Sequence, residues 1–260
     1  MQRIIIHAGF HNTGTAHLQQ TLRANRDALK PDVRLVLKPG MKALCDSARA
    51  YSCSREDVDL GMVKFEAASL MDQLSTEDAA CIVLSSDNLC GYMPGLRKLH
   101  GYGAAPHLMR ALSVAFGMAA PAAELSFLFT TRAADPWLRA CYTQHLRKGR
   151  MVWDEADYLK RLASSADHDA ALDLIRREIP DHPLHQARLE DHEGKPLGIA
   201  TALLDLLDLP AARCAQLQPV KRRERAVSDK LNAQLLTLNR SDLDAAALRK
   251  AKRTLIKRAT

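Results

Sequence analysis

Between Arg3 and Leu22 the chain reads RIIIHAGFHNTGTAHLQQTL, and the period of its hydrophobic pattern changes inside that stretch. The β-branched run Ile4 to Ile6 predicts a strand, the segment bracketed by Gly9 and Gly14 a turn, and the spacing beyond it a helix to about Ala28. Lys30-Pro31-Asp32 marks a turn, and Val33 to Leu37 reads as a second strand closed by Lys38-Pro39-Gly40. From Met41 to Gly61 the pattern is irregular and polar, and helical spacing returns only at Val63, Ala67, Leu70 and Leu74. Residues 41–74 are therefore expected to be a variable insertion.

Two wholly apolar runs, Ala79 to Ser85 and Glu124 to Thr131, suit parallel strands buried on both faces. Ser86-Asp87-Asn88 and Arg132 follow them directly, at the carboxyl edge where open α/β sheets bind ligands. Leu108 to Ala119 reads as a helix between these strands. Asp135, as an N-cap ahead of Pro136, opens another helix to about Lys148. Amphipathic helices are expected at Asp154 to Leu162 and Ala170 to Glu178, a last strand at Pro183 to Leu189, and a helix at Ile199 to Leu207. Two more helices, Ser228 to Leu238 and Leu243 to Lys257, complete the chain. The alternation predicts an α/β fold: a doubly wound, mainly parallel sheet with helices on both faces. One domain over residues 1–260 is expected, with residues 240–260 as a basic C-terminal helix.

Composition allows that reading, since 260 residues at 47% hydrophobic suffice for one large core. The formal charge of +7 points to anionic partners, though charge alone does not choose among a phosphorylated nucleotide, an acidic glycan, nucleic acid and an anionic membrane. The six cysteines lack zinc-site spacing, and most of them read as reduced core residues. No signal-peptide pattern leads the chain, and Val114 to Ala123 is too short to span a bilayer, so a cytoplasmic protein is expected.

The candidate chemistry sits in the first loop. If Thr13 to Thr15 form the first turn of the helix, their amides lack intrahelical partners and the helix dipole favours an anion there. Gly9 and Gly14 have the spacing of a Walker A loop, but Thr15 stands where that motif needs lysine and Ala16 where it needs a hydroxyl. ATPase and GTPase activities are thereby disfavoured.

The run Asn12-Thr13-Gly14-Thr15-Ala16-His17-Leu18-Gln19 instead resembles the 5′-phosphosulfate loop of the sulfotransferases, roughly K-[ST]-G-T-[TS]-x-L-Q, with Asn12 in place of the lysine and Ala16 in place of the second hydroxyl. Three further stretches follow in the order of bacterial sulfotransferase-like proteins. Cys81 to Leu89 resembles a strand ending in S-S-E-N, with Asp87 replacing the glutamate. Phe127 to His145 resembles a strand, an arginine and a helix carrying S-x-Y-x-Q-H; Arg132, Tyr142, Gln144 and His145 match, while Ala140 replaces the serine. Val220 to Asn239 is similar to the terminal R-R-N-x-S-L-S-x-E-x-L-x-L-L-x-x-N pattern, with Glu224 replacing its asparagine.

The resemblance implies a P-loop-type three-layer fold and transfer of a sulfuryl group from 3′-phosphoadenosine-5′-phosphosulfate (PAPS) to a hydroxyl, on a carbohydrate or glycolipid acceptor. It implies that Asn12, Thr13, Gly14, Thr15 and Ala16 hold the 5′-phosphosulfate, and that Arg132, Arg222 and Arg223 hold the 3′-phosphate. Asp87 is one candidate base and His11, beside the missing lysine, the other; Asp87 is also ordinary Asx-turn chemistry. His7 reads as a core histidine and His17 as half-exposed. The substitutions at Asn12, Ala16, Ala140 and Glu224 support an alternative, a nucleotide- or anion-binding protein without turnover. The basic helix Arg249 to Arg258 suits an anionic surface, and peripheral membrane contact is compatible with it; nucleic acid is not an expected partner, since no aromatic interleaving or known motif accompanies the charge.

Overall fold

The computed structural model describes residues 2–30, 32–74, 79–221 and 228–259. In chain order its elements are β1 (Arg3–Gly9), α1 (Thr15–Ala24), α2 (Arg26–Leu29), β2 (Val33–Leu37), α3 (Lys42–Ser54), α4 (Asp57–Leu74), β3 (Cys81–Ser85), α5 (Ala105–Ala119), β4 (Glu124–Thr131), α6 (Ala134–Lys148), α7 (Glu155–Leu162) and α8 (His168–Glu178). Then come β5 (Leu184–Arg188), α9 (Ala200–Leu204), α10 (Ala211–Cys214), α11 (Asp229–Arg240) and α12 (Ala245–Ala259). These residues divide into two compact units. The first holds all five strands with α1–α5 and α8–α10, and the second holds α6, α7, α11 and α12.

In the first unit the strands form one all-parallel sheet in the order β2-β3-β1-β4-β5. Its central strand is apolar on both faces, with Ile4, Ile5 and Ile6 all buried. Ile5, Val83 and Leu128 share one face, where Leu18 and Leu22 of α1 and Leu203 of α9 pack onto them. The alternate residues Ile6, Leu84 and Phe127 are equally buried on the other face. Helix α5 packs on β4, with α4 and α8 against α5 and α3 against α4. The expected α/β class, parallel and three-layered, is the observed one. Because β1 pairs with β3 on one side and β4 on the other, three carboxyl strand ends stand together.

The segment 41–61, read as irregular, is mostly helical. Leu44, Cys45, Ala48, Tyr51 and Ser52 form the buried stripe of α3, and the small and polar members of that stripe lower the contrast that periodicity needs. Helix α4 begins at Asp57, six residues before the expected start; Val58 is 73% and Phe65 62% exposed, so its apolar residues occupy both faces and blur the pattern. The first helix is also shorter than expected. Asn25 interrupts it, accepting from the amide of Gln218 (2.6 Å) while its own Nδ2 donates to the carbonyls of Thr21 and Gln218 (2.9 Å each). Asp135 is not the cap of α6: that helix starts at Ala134, and the Asp135 carboxylate sits in its first turn, accepting from Arg139 at 3.2 Å.

In the second unit α6 packs against α7 and α11, and α12 against α11. The Tyr142 hydroxyl donates to Trp153 O (3.2 Å), and His145 Nδ1 lies 2.8 Å from the Tyr158 hydroxyl. The Asn239 amide donates to Leu146 O and Met151 O, closing carbonyls at and beyond the end of α6. Tyr142, His145, Leu231, Leu235 and Asn239, which carry much of the motif resemblance, are all buried here.

Candidate functional site

At the carboxyl end of β1 the chain makes a tight loop before α1. Asn12 has φ 59°, and Gly14 has φ 97° at the N-cap of the helix. A Cβ on Gly14 would lie 2.9 Å from Leu189 Cδ1 and 3.0 Å from Ile199 Cγ2, so both the backbone angle and the close approach require glycine. The amides of Gly14, Thr15 and Ala16 meet no acceptor among the described residues. They are the unsatisfied donors that every helix start carries, here at the meeting point of three strands.

The loop hydroxyls turn inward. Thr13 Oγ1 lies 2.6 Å from both Phe10 O and Thr130 Oγ1, and Thr15 Oγ1 donates to the same Phe10 carbonyl at 3.1 Å. Thr130 Oγ1 in turn donates to Gly9 O at 3.1 Å. The two threonines thus hold the loop's shape, while Ala16 is exposed.

Around this loop stand the other candidates. Arg132, one residue past β4, reaches back so that Nη1 lies 3.4 Å from Asn12 O, and its amide is 3.5 Å from His168 Nδ1. The His168 ring stacks on Phe10 at 4.8 Å. Asp87 opens a short 3-10 turn past β3, where Ser86 caps the turn by accepting from Asn88 N at 3.2 Å. The Asn88 side-chain amide donates to Asp87 Oδ1 at 3.2 Å, so the side-chain cap of this turn is the Ser86 hydroxyl and not an Asx turn of Asp87. Asn12 Nδ2 lies 3.1 Å from Met93 Sδ.

His11 is buried. The Tyr102 hydroxyl oxygen accepts from its amide at 3.3 Å and lies 3.2 Å from Nδ1, with the two rings stacked at 6.0 Å. For His11 to act as a base at Nε2, Nδ1 must carry the proton and donate to that oxygen. Cys90 Sγ sits 3.9 Å from Nδ1 and donates to Asp87 O at 3.0 Å. Burial raises the Cys90 thiol well above its ordinary range, so it is a neutral thiol.

His7 lies beneath the loop with Nδ1 2.7 Å from Ser85 Oγ, and Gln19 of α1 donates to Ser85 O at 2.9 Å. Burial lowers the His7 pKa to about 4, against a smaller opposing pull from Asp87. Between that value and the unfolded histidine's 6.5, the unfolded chain binds a proton that the folded one does not. Stability should therefore fall as pH drops, by about 2 kcal/mol from this group between pH 7 and 5. Urea unfolding of the parent and His7→Gln at both pH values checks this; equal slopes for the two would refute it.

The loop residues His11 to Ala16, Asp87 and Arg132 thus lie at one sheet edge. Arg222 and Arg223 lie outside the described residues. Sequence reasoning missed Tyr102, Thr130 and His168. Thr130 was legible in principle, two residues before Arg132 in a strand; Tyr102 and His168 come from distant segments that carry no motif. Among the described residues no group of histidines, cysteines and carboxylates is placed to hold a metal ion, and no helix is long and apolar enough to cross a membrane. No family model matches the chain, and no curated protein matches it. The resemblance to sulfotransferases rests on the four sequence stretches alone.

Proposed function

We propose that the chain binds PAPS at the β1–α1 loop and transfers its sulfuryl group to a hydroxyl of a glycan or glycolipid. The observation that carries the reading is the convergence of three unsatisfied amides, those of Gly14, Thr15 and Ala16, with the Arg132 guanidinium at the same loop. Amides at a helix start suit the 5′-phosphosulfate, and a planar guanidinium suits the 3′-phosphate. In the transfer an acceptor oxygen bonds to sulfur as the sulfur–oxygen bond to the 5′-phosphate breaks. The nucleotide leaves as adenosine 3′,5′-bisphosphate, and the acceptor proton passes to His11 or Asp87. Negative charge growing on the leaving phosphate is met by the loop amides, which are in place before reaction.

A specific observation favours a second reading, binding without turnover. The hydroxyls of Thr13 and Thr15 are committed to Phe10 O, and Asn12, where the resemblance has lysine, is uncharged.

Calorimetry with adenosine 3′,5′-bisphosphate against ATP tests the nucleotide assignment. The bisphosphate is expected to bind and ATP not to, because no Walker lysine or magnesium hydroxyl is present. Arg132→Ala should weaken bisphosphate binding by roughly 1.5–3 kcal/mol, the range for hydrogen bonds to charged groups. Equal affinity for ATP, or binding of neither, removes the cofactor assignment.

A further inference from the structure

In the second unit, α11 and α12 leave between them an open groove of about 640 Å3, with Leu238, Leu243, Ala247, Ala251 and Leu255 along its floor. Among the described residues no aromatic or acidic side chain lines it, and the lining is mostly apolar. Helix α12 has no acidic residue from Ala245 to Ala259. Arg249, Lys250, Arg253, Lys257 and Arg258 are all exposed, and none is in an ion pair among the described residues. At 100° per residue Arg249, Arg253 and Lys257 form one row, and Lys250 and Arg258 lie at the groove's rim. The opposite wall is uncharged, with Gln234 and Thr237.

The helix is held firmly from beneath. Lys252, buried, donates to Leu146 O at 2.6 Å and to Gly149 O, so that α12 is pinned to the end of α6. One fixed element therefore carries both features, the cationic row on its flank and Lys250 and Arg258 at the groove itself.

We propose that this face docks on an anionic lipid bilayer, with the basic row against phosphate headgroups and an acyl chain or the helix's apolar flank meeting the boundary at the groove. A basic helix whose apolar side remains open is the pattern of an interfacial element. Nucleic acid would match the charge but leaves the apolar groove without a purpose, since no aromatic side chain is there to stack on bases. A second copy of the chain would bring two basic rows of like charge together in a two-fold contact, which charge opposes. The proposal does not depend on what the β1–α1 loop binds, and its test uses no nucleotide.

The full chain should sediment with vesicles of equimolar phosphatidylcholine and phosphatidylglycerol at low salt, and not with pure phosphatidylcholine. Raising the salt should release it, because headgroup attraction is screened. The triple variant Arg249→Gln, Arg253→Gln, Lys257→Gln, altered only at exposed positions, should lose about a hundredfold in partitioning. An indole introduced by Thr254→Trp at the groove should shift its emission to the blue on binding. Absence of sedimentation at low salt, triple-variant binding equal to the parent's, or binding without the emission shift overturns the proposal. So does tight retention of duplex RNA by a chain that ignores the vesicles, or self-association that closes the groove.

Discussion

Gly14→Ala is expected to destabilise the protein by about 2–5 kcal/mol and to abolish bisphosphate binding. An L-residue at φ 97° is strained by about 1–2 kcal/mol. The new methyl would stand 2.9 Å from Leu189 and 3.0 Å from Ile199, and overpacking of that kind adds about 1–3 kcal/mol. Both neighbours belong to the core that α1 and α9 share over the sheet, so neither can retreat cheaply. Relief of the clash would turn the very amides that face the candidate anion site. Gly61→Ala is the matched control. It lies in α4 with nothing within 4 Å of the added carbon, and should stabilise by about 0.5–1 kcal/mol. Urea unfolding of both variants, with calorimetry on Gly14→Ala, reads the outcome; a Gly14→Ala protein as stable as its parent would show that the loop does not need this conformation.

On the proposed function with His11 as base, His11→Ala is expected to lower sulfuryl transfer by about 10²–10⁴-fold, the usual contribution of a positioned base. Its ring is stacked on Tyr102 and held there by the hydroxyl contact, so it is positioned before any ligand arrives. Asn12→Lys should by contrast gain less than about tenfold, because Arg132 already places a guanidinium 3.4 Å from Asn12 O. The αL backbone of residue 12, at φ 59°, also suits asparagine better than lysine. Initial rates over a panel of hydroxyl acceptors separate the two readings. A parent without turnover, whose Asn12→Lys variant gains a hundredfold or more, is a binding protein with a lapsed site. Activity that survives both His11→Ala and Asp87→Ala would exclude both candidate bases.

Legibility followed contrast in the sequence. β2 and β4 coincide with their expected spans, because short apolar runs between turn residues leave a parallel strand little latitude. Asp154 and Ser228, expected as the first residues of helices, stand one residue ahead of α7 and α11 as their N-caps, accepting from Asp157 N and Leu231 N. Helix α3 was lost because alanine, cysteine and serine bury as well as leucine does in a tight helix pair yet carry little hydrophobic signal. At the site, the loop was legible because glycine and threonine at fixed offsets have few other uses. What the threonines do was not: their hydroxyls brace Phe10 O and Thr130, a choice that depends on a strand more than a hundred residues away.

The sequence by itself determined the class of fold and the glycine-bracketed loop at the end of the first strand, since hydrophobic period and backbone permissiveness are local properties of the chain. Tertiary structure alone decided which groups meet at that loop. It brought Tyr102 and His168 to it, turned the threonine hydroxyls away from the open side, and set Tyr142, His145 and Asn239 to work inside a separate unit. The reason is physical: a side chain's partners are chosen by the packing of distant segments and by the requirement that buried polar atoms be satisfied, and neither is written at any single position of the chain.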